Sequence, residues 1–159
     1  SDYTKAIQIK PDYADAYNNR GYAKNELEDY QGAISDYTKA IQLDRNHKLA
    51  YNNRGLAKYN LEDHKGAISD YTKVIQLDRN HELAYYNRGL SKTILEDHKG
   101  AISDYTKAIQ IKPDYADAYT IRGIEKEFFG DMDGACSDWR QASLLGDQLA
   151  NQFFKRECD

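Results

Sequence analysis

Residues 35–68 read SDYTKAIQLDRNHKLAYNNRGLAKYNLEDHKGAI, and residues 69–102 read SDYTKVIQLDRNHELAYYNRGLSKTILEDHKGAI. The two stretches abut without a gap and differ at six of 34 positions. The same frame runs back over residues 1–34 and forward over 103–136, and a further copy begins at Ser137. Self-similarity at a fixed period of 34 residues means that one supersecondary unit recurs, each copy burying its apolar face against the next.

Inside a unit the apolar spacing is helical. Over residues 14–27, Ala16, Tyr17, Gly21, Ala23, Lys24 and Leu27 share one broad arc; over 30–43, Ala33, Ile34, Tyr37, Ala40, Ile41 and Leu43 do the same. Asp29 precedes the second helix and recurs as Asp63, Asp97 and Asp131, which predicts an N-cap in every unit. Asp12, Asn46, Asn80 and Asp114 mark the start of the first helix, and Pro11 and Pro113 close the helix before it. Small residues form columns at Gly21, Gly55, Gly89 and Gly123 and at Ala33, Ala67, Ala101 and Ala135. Rings form columns at Tyr17, Tyr51, Tyr85 and Tyr119 and at Tyr3, Tyr37, Tyr71, Tyr105 and Trp139. Small residues facing large ones at fixed spacing let a helix hairpin pack to native density.

The pattern A-Y-x-x-R-G-x-x-K-x-x-L-x-D-x-x-G-A-I-S-D-Y-T-K-A-I resembles the tetratricopeptide repeat, a helix–turn–helix module, in the form seen in bacterial proteins. The resemblance covers residues 1 to about 145. It implies an all-α right-handed superhelix, a solenoid of antiparallel helix hairpins forming a single domain. Its expected parts are a leading half repeat at 1–13, four repeats at 14–47, 48–81, 82–115 and 116–146, and a C-terminal capping helix at 147–159. Gly146 is the expected helix stop, Asp147 the cap, and Leu149, Ala150, Phe153 and Phe154 the buried face of that last helix. Two columns depart from the family's common form: Arg20, Arg54, Arg88 and Arg122 stand where leucine is frequent, and Lys24, Lys58, Lys92 and Lys126 where tyrosine is. Both point toward the packing face. The column Asp36, Asp70, Asp104 and Asp138 runs in step with them, so we expect arginine–aspartate pairs with the arginine stems lying on tyrosine rings.

Composition narrows the function. Net charge is −4, which offers no basic footprint for nucleic acid. No apolar run is long enough to span a membrane, and with no basic stretch followed by an apolar one at its start the sequence gives no expectation of a signal peptide. Two cysteines, Cys136 and Cys158, fit neither a disulfide framework nor a zinc pattern. The composition reads as soluble, reduced and cytoplasmic. Cys136 takes the place of Ile34, Ile68 and Ile102, which predicts a small buried hydrophobe. His47 and His81 fall at turns between repeats and His64 and His98 at turns within them; they read as surface residues too far apart to share a metal ion. Gly32, Gly66, Gly100 and Gly134 open helices without the spacing of a phosphate loop. No catalytic constellation interrupts the repeat, and no metal or cofactor is implied.

Residues 35–68 and 69–102 differ mostly on the first helix, where Asn52/Tyr86, Tyr59/Thr93 and Asn60/Ile94 cluster on the side opposite the packing arc. In the family that side lines a concave groove for a peptide or partner helix. Carried over by position, the groove takes Asn18, Tyr22, Asn25 and Glu26 from the first unit, and Leu49, Asn52, Asn53, Leu56, Tyr59 and Asn60 from the second. Leu83, Tyr86, Asn87, Leu90, Thr93 and Ile94 follow from the third, and Thr120, Ile124, Glu127 and Phe128 from the fourth. Tyr22, Tyr59 and Tyr86 are the expected anchors, and truncating Tyr59 and Tyr86 is expected to spare stability. Leu56, Leu90 and Ile124 serve equally well as packing between neighbouring first helices. The chaperone-tail grip of some family members needs lysines and an arginine where this chain has Asn18, Leu83 and Asn87, so that specificity is not expected. The resulting expectation is a non-catalytic protein–protein interaction scaffold. The alternative is self-assembly: the chain opens on the second helix of a repeat, which suggests that something precedes it and leaves a face on which a second copy could stack.

Overall fold

The structure, a computed structural model, describes residues 2–158. All regular structure among them is helical: α1 (Asp2–Ile9), α2 (Ala14–Glu26), α3 (Tyr30–Leu43), α4 (Lys48–Asn60), α5 (His64–Leu77), α6 (Glu82–Ile94), α7 (His98–Ile111), α8 (Ala116–Phe128), α9 (Met132–Leu144) and α10 (Gln148–Glu157). The chain divides into two compact units, Ser1–Arg79 and Asn80–Asp159. In the first, α2 and α3 form one hairpin and α4 and α5 the next, with α1 on α2 and α4 on α3. In the second, α6 pairs with α7 and α8 with α9, α8 packs on α7, and α10 packs on α9.

Each hairpin closes because a bare glycine receives a ring. A Cβ on Gly21 would lie 2.8 Å from the Tyr37 ring, on Gly55 2.9 Å from Tyr71, on Gly89 2.6 Å from Tyr105 and on Gly123 2.5 Å from Trp139. These four rings are almost fully buried. Burial pushes the phenols of Tyr37 and Tyr71 well above the ordinary tyrosine range, so both stay neutral. Successive hairpins join through alanines: Ala40 and Ile41 of α3 meet Ala50 of α4, and Ala108 and Ile109 of α7 meet Ala118 of α8.

The arginine–aspartate pairs are present in all four hairpins. Each arginine forks onto its aspartate, Nη2 donating to Oδ1 at 2.6 Å and Nε to Oδ2 at 2.8–2.9 Å. Each guanidinium also lies 5.5–5.6 Å from the centroid of Tyr17, Tyr51, Tyr85 or Tyr119. The lysine column, which the sequence left without a partner, joins the same carboxylates at 2.7–2.8 Å. Burial raises the Asp36 carboxyl, but the hydrogen bonds and charges of Arg20 and Lys24 outweigh it and hold the group below its ordinary range. The bond to Asp36 likewise raises Arg20.

The second helices begin as expected: Asp29, Asp63, Asp97 and Asp131 each accept from the backbone N–H three residues on, at Gly32, Gly66, Gly100 and Gly134. A Cβ on those glycines would sit 2.0–2.2 Å from the capping carboxylate. The glycines are there for the cap, and the helix start is already filled by an anion. The first helices begin one residue later than the Asp12, Asn46, Asn80 and Asp114 markers suggest. Their caps are Tyr13, His47, His81 and Tyr115, and the Nδ1 atoms of His47 and His81 accept from the Ala50 and Ala84 N–H. At the turn inside each hairpin, Glu28, Glu62 and Glu96 adopt φ of 60–61°, and Gly130 holds the same column at 76°. That left-handed conformation favours glycine.

Cys136 and Cys158 form a disulfide. This corrects the expectation of a reduced chain with no disulfide, and of Cys136 as a mere hydrophobe. It also removes the compositional ground for a reduced compartment. The pair escapes a reading of spacing because α10 folds back along α9 and brings the residue just past its end to the first turns of α9.

Candidate functional site

The positions carried over from the family sit on α2, α4, α6 and α8, away from the arginine–aspartate forks. In the first unit Tyr22, Leu49, Leu56 and Asn60 are exposed, and Asn25, Asn52, Asn53 and Tyr59 are half-buried. Tyr22 and Leu49 each present more than half of their surface, 54% and 55%. Asn18 is not available for contact: it is buried, its Oδ1 accepts from Asn53 Nδ2 at 3.2 Å, and its Nδ2 donates to Asn19 at 3.3 Å. That bridge brings α2 and α4 together. Tyr59 is partly spent on an edge-on contact with the His64 ring. Two buried acceptors of this face, Asn25 Oδ1 and Asn52 Oδ1, have no hydrogen-bond partner.

In the second unit Leu83 and Ile94 are exposed, and Asn87 and Leu90 are half-buried. Four expected contact residues are instead built into the fold. The Tyr86 ring packs 5.8 Å from Tyr105 and 4.9 Å from Tyr115 and joins the Ala108–Ala118 cluster. Truncating it therefore removes core packing, contrary to the expectation of unchanged stability. Thr93 donates to Glu125 Oε1 at 2.6 Å and meets the Tyr105 hydroxyl at 3.1 Å. Thr120 is buried, donating to Asp147 at 2.8 Å, and Ile124 packs on the Trp139 cluster. Each of these side chains is held by a partner on another helix, which position on its own helix does not reveal.

One feature of this unit was not anticipated. Glu125 is buried and accepts from Thr93 and from His98 Nδ1 at 2.7 Å, stitching the ends of α6 and α8 to the start of α7. The signal lay in the repeat itself, since Glu125 breaks a column of Ala23, Ala57 and Ser91. Beside it the His98 ring stacks 4.3 Å from Phe128, and Phe128 and Phe129 stand exposed. None of the four histidines is a bare surface residue. His47 also meets Asp15 at 3.1 Å, and all four are half-buried. Among the described residues no group of three or more His, Cys, Asp or Glu is placed to hold a metal ion. No described helix is long and apolar enough to cross a membrane.

A sequence model of the tetratricopeptide repeat matches residues 14–47, 49–81 and 83–115. The α8–α9 hairpin lies outside these segments but carries the same arginine–aspartate fork and glycine–ring contact. A sequence comparison with curated proteins finds no match. Among solved structures the chain is similar to a crystal structure of MamA, with a TM-score of 0.88 and 27% identity, covering 94% of this chain and 87% of that one. It is also similar to the Arabidopsis OM64 TPR domain, with a TM-score of 0.70 and 25% identity over 72% of this chain and 95% of that one. The first TPR of Spaghetti (RPAP3), bound to the HSP90 peptide SRMEEVD, shares the fold at a TM-score of 0.72 and 24% identity, over 74% of this chain and 93% of that one. With the repeat matched over more than half of its length, the chain belongs to the tetratricopeptide repeat family, whose repeats mediate protein–protein interaction.

Proposed function

We propose that the protein binds a peptide or a partner helix along the first-helix faces of its repeats and catalyses nothing itself. The supporting observation is an asymmetry of exposure. The arginine–aspartate side of each hairpin is satisfied internally, whereas the opposite side leaves Tyr22, Leu49 and Leu56 in one unit and Leu83 and Ile94 in the other open to solvent. Exposed apolar side chains interleaved with amide groups suit a ligand that offers both apolar side chains and backbone N–H groups. The test is selection of binding peptides from a random display library, followed by titration against a Leu49→Ala/Leu56→Ala/Leu83→Ala variant. Selected peptides lose at least tenfold in affinity for the variant while its melting temperature moves by only a few degrees. Equal binding to both proteins overturns the assignment.

A second reading rests on α1. This helix buries only Ile7 and leaves Tyr3 and Ile9 exposed, Ile9 at 86%. A second copy docking there makes light-scattering mass rise with concentration, and a Tyr3→Glu/Ile9→Glu variant abolishes the rise. A constant monomer mass removes this reading and leaves the first intact.

A further inference from the structure

We infer that the Cys136–Cys158 disulfide is a redox latch that decides whether α10 covers α9. The two sulfurs join a residue in the second turn of α9 to the residue just past α10, across a sequence separation of 22. In the other hairpins the position of Cys136 is Ile34, Ile68 or Ile102, and Ile34 packs in the cluster where α3 receives Ala57 of α4. On α9 that apolar contact has been exchanged for a covalent one.

The other attachments of α10 to α9 are a cap at its start, a hydrogen bond from Ser143 to Asn151 Oδ1 at 3.3 Å, and the rings of Phe153 and Phe154 on the Trp139 cluster. Asp147 caps it through the Ala150 N–H and accepts from Thr120 at 2.8 Å, fixing the N-terminal end. Ala150 is its only buried residue; Leu149 is exposed, and Phe153 and Phe154 are half-buried. Gly146, at φ 97° with nothing within 4 Å of a Cβ, supplies a hinge immediately before the cap. At ten residues, α10 falls below the length at which an isolated helix holds its shape in water. Its last turn, past Phe154, is tied back to α9 through the disulfide. Both cysteines are half-buried rather than sealed in the core, so a small thiol can reach them.

The chemistry is thiol–disulfide exchange. A dithiol attacks one sulfur as its thiolate, forming a mixed disulfide and releasing one cysteine. Its second thiolate then displaces the other cysteine, so the Cys136–Cys158 bond takes up two electrons and two protons and the dithiol is oxidised to a disulfide. Closing a loop of this length withholds entropy from the opened form, so losing the bond shifts the opening equilibrium of α10 by roughly two orders of magnitude. Opening uncovers the Ala135, Trp139 and Ala142 face of α9, an apolar surface like those that hold α4 on α3 and α8 on α7.

The full chain carries its own reporter, since Trp139 is the single tryptophan and its ring stacks 5.2 Å from Phe153. Amide hydrogen exchange and acrylamide quenching are measured on the oxidised protein, on the protein held in excess dithiothreitol, and on a Cys136→Ser/Cys158→Ser variant. Reduction speeds exchange in residues 148–157 at least tenfold and raises quenching of Trp139, with residues 14–115 unchanged. The variant matches the reduced protein with or without dithiothreitol. Three results each overturn the latch: two free thiols in the unreduced protein, undiminished protection of α10 after reduction, or loss of protection throughout the chain together. The second leaves the disulfide a redundant brace, and the third makes it a global staple.

Discussion

The three glutamates in left-handed backbone are destabilising by their conformation alone, and replacing them with glycine stabilises the protein. Glu28, Glu62 and Glu96 sit at φ of 60–61° in the turn of their hairpins, exposed, with the backbone bonds of that turn already made. Glu28 N–H donates to Asn25 at 2.9 Å, and its carbonyl accepts from Tyr30 N–H at 2.9 Å. Those bonds survive the loss of a side chain. The left-handed conformation costs a residue with a Cβ about 1–2 kcal/mol, and the extra freedom of glycine in the unfolded chain takes back about 0.5–1 kcal/mol. The net gain is about 0.5–1 kcal/mol per site. The sites lie in separate hairpins and share no partner, so the triple variant gains about 2 kcal/mol by additivity. For a chain of this size that corresponds to a rise in Tm of roughly 4–8 °C. The fourth hairpin is the internal control: Gly130 holds the same column at φ 76°, and nothing lies within 4 Å of the Cβ it lacks. Gly130→Glu therefore loses what each reverse change gains, through backbone conformation and not through a clash. Urea unfolding of wild type, triple variant and Gly130→Glu decides the matter. A triple variant no more stable than wild type, together with a harmless Gly130→Glu, refutes the reasoning.

The remaining predictions concern the buried side of the repeats. Asp70→Asn leaves Arg54 and Lys58 facing a neutral amide in a nearly buried site and costs about 3–5 kcal/mol in urea unfolding. Gly89→Ala forces a Cβ to within 2.6 Å of the Tyr105 ring and costs about 1–3 kcal/mol by the same assay. The Asp36 carboxyl titrates below its unfolded value, so its stabilisation is complete above that value and is lost as pH falls through the folded one. An Asp36→Asn protein is thus less stable at neutral pH, and its stability falls less steeply on acidification than that of wild type. Tyr86→Ala lowers Tm by several degrees because its ring packs on Tyr105 and Tyr115, whereas Tyr22→Ala, at an exposed position, leaves Tm nearly unchanged.

The fold was legible because the same physics is written four times. A glycine facing a ring, an aspartate one residue before a helix and an arginine in step with an aspartate each recur every 34 residues, so chance resemblance at one position is rejected by the others. The contact face was less legible because it depends on partners that cross between helices. Nothing local in Thr93 or Thr120 shows that Glu125 and Asp147 will claim their hydroxyls, and nothing local in Tyr86 shows that Tyr115 will stack on it. The disulfide was hidden for a related reason: a cysteine in an isoleucine column reads as packing until the return path of α10 is known. Single-copy departures from the repeat were the signals left unread. Glu125 among small residues and Gly130 among glutamates mark, in order, the buried carboxylate and the strained turn.

The arginine–aspartate forks span 16 residues and close inside one hairpin, and the lysine that completes each carboxylate comes from the same hairpin. Every copy thus carries its own counter-charges. A gene encoding such a chain can gain or lose whole 34-residue cassettes without stranding an ion in the interior, while a deletion that removes an arginine but leaves its aspartate orphans one. Duplication and deletion by unequal recombination are thereby filtered toward integral numbers of modules, and array length becomes a property that evolution can adjust in steps.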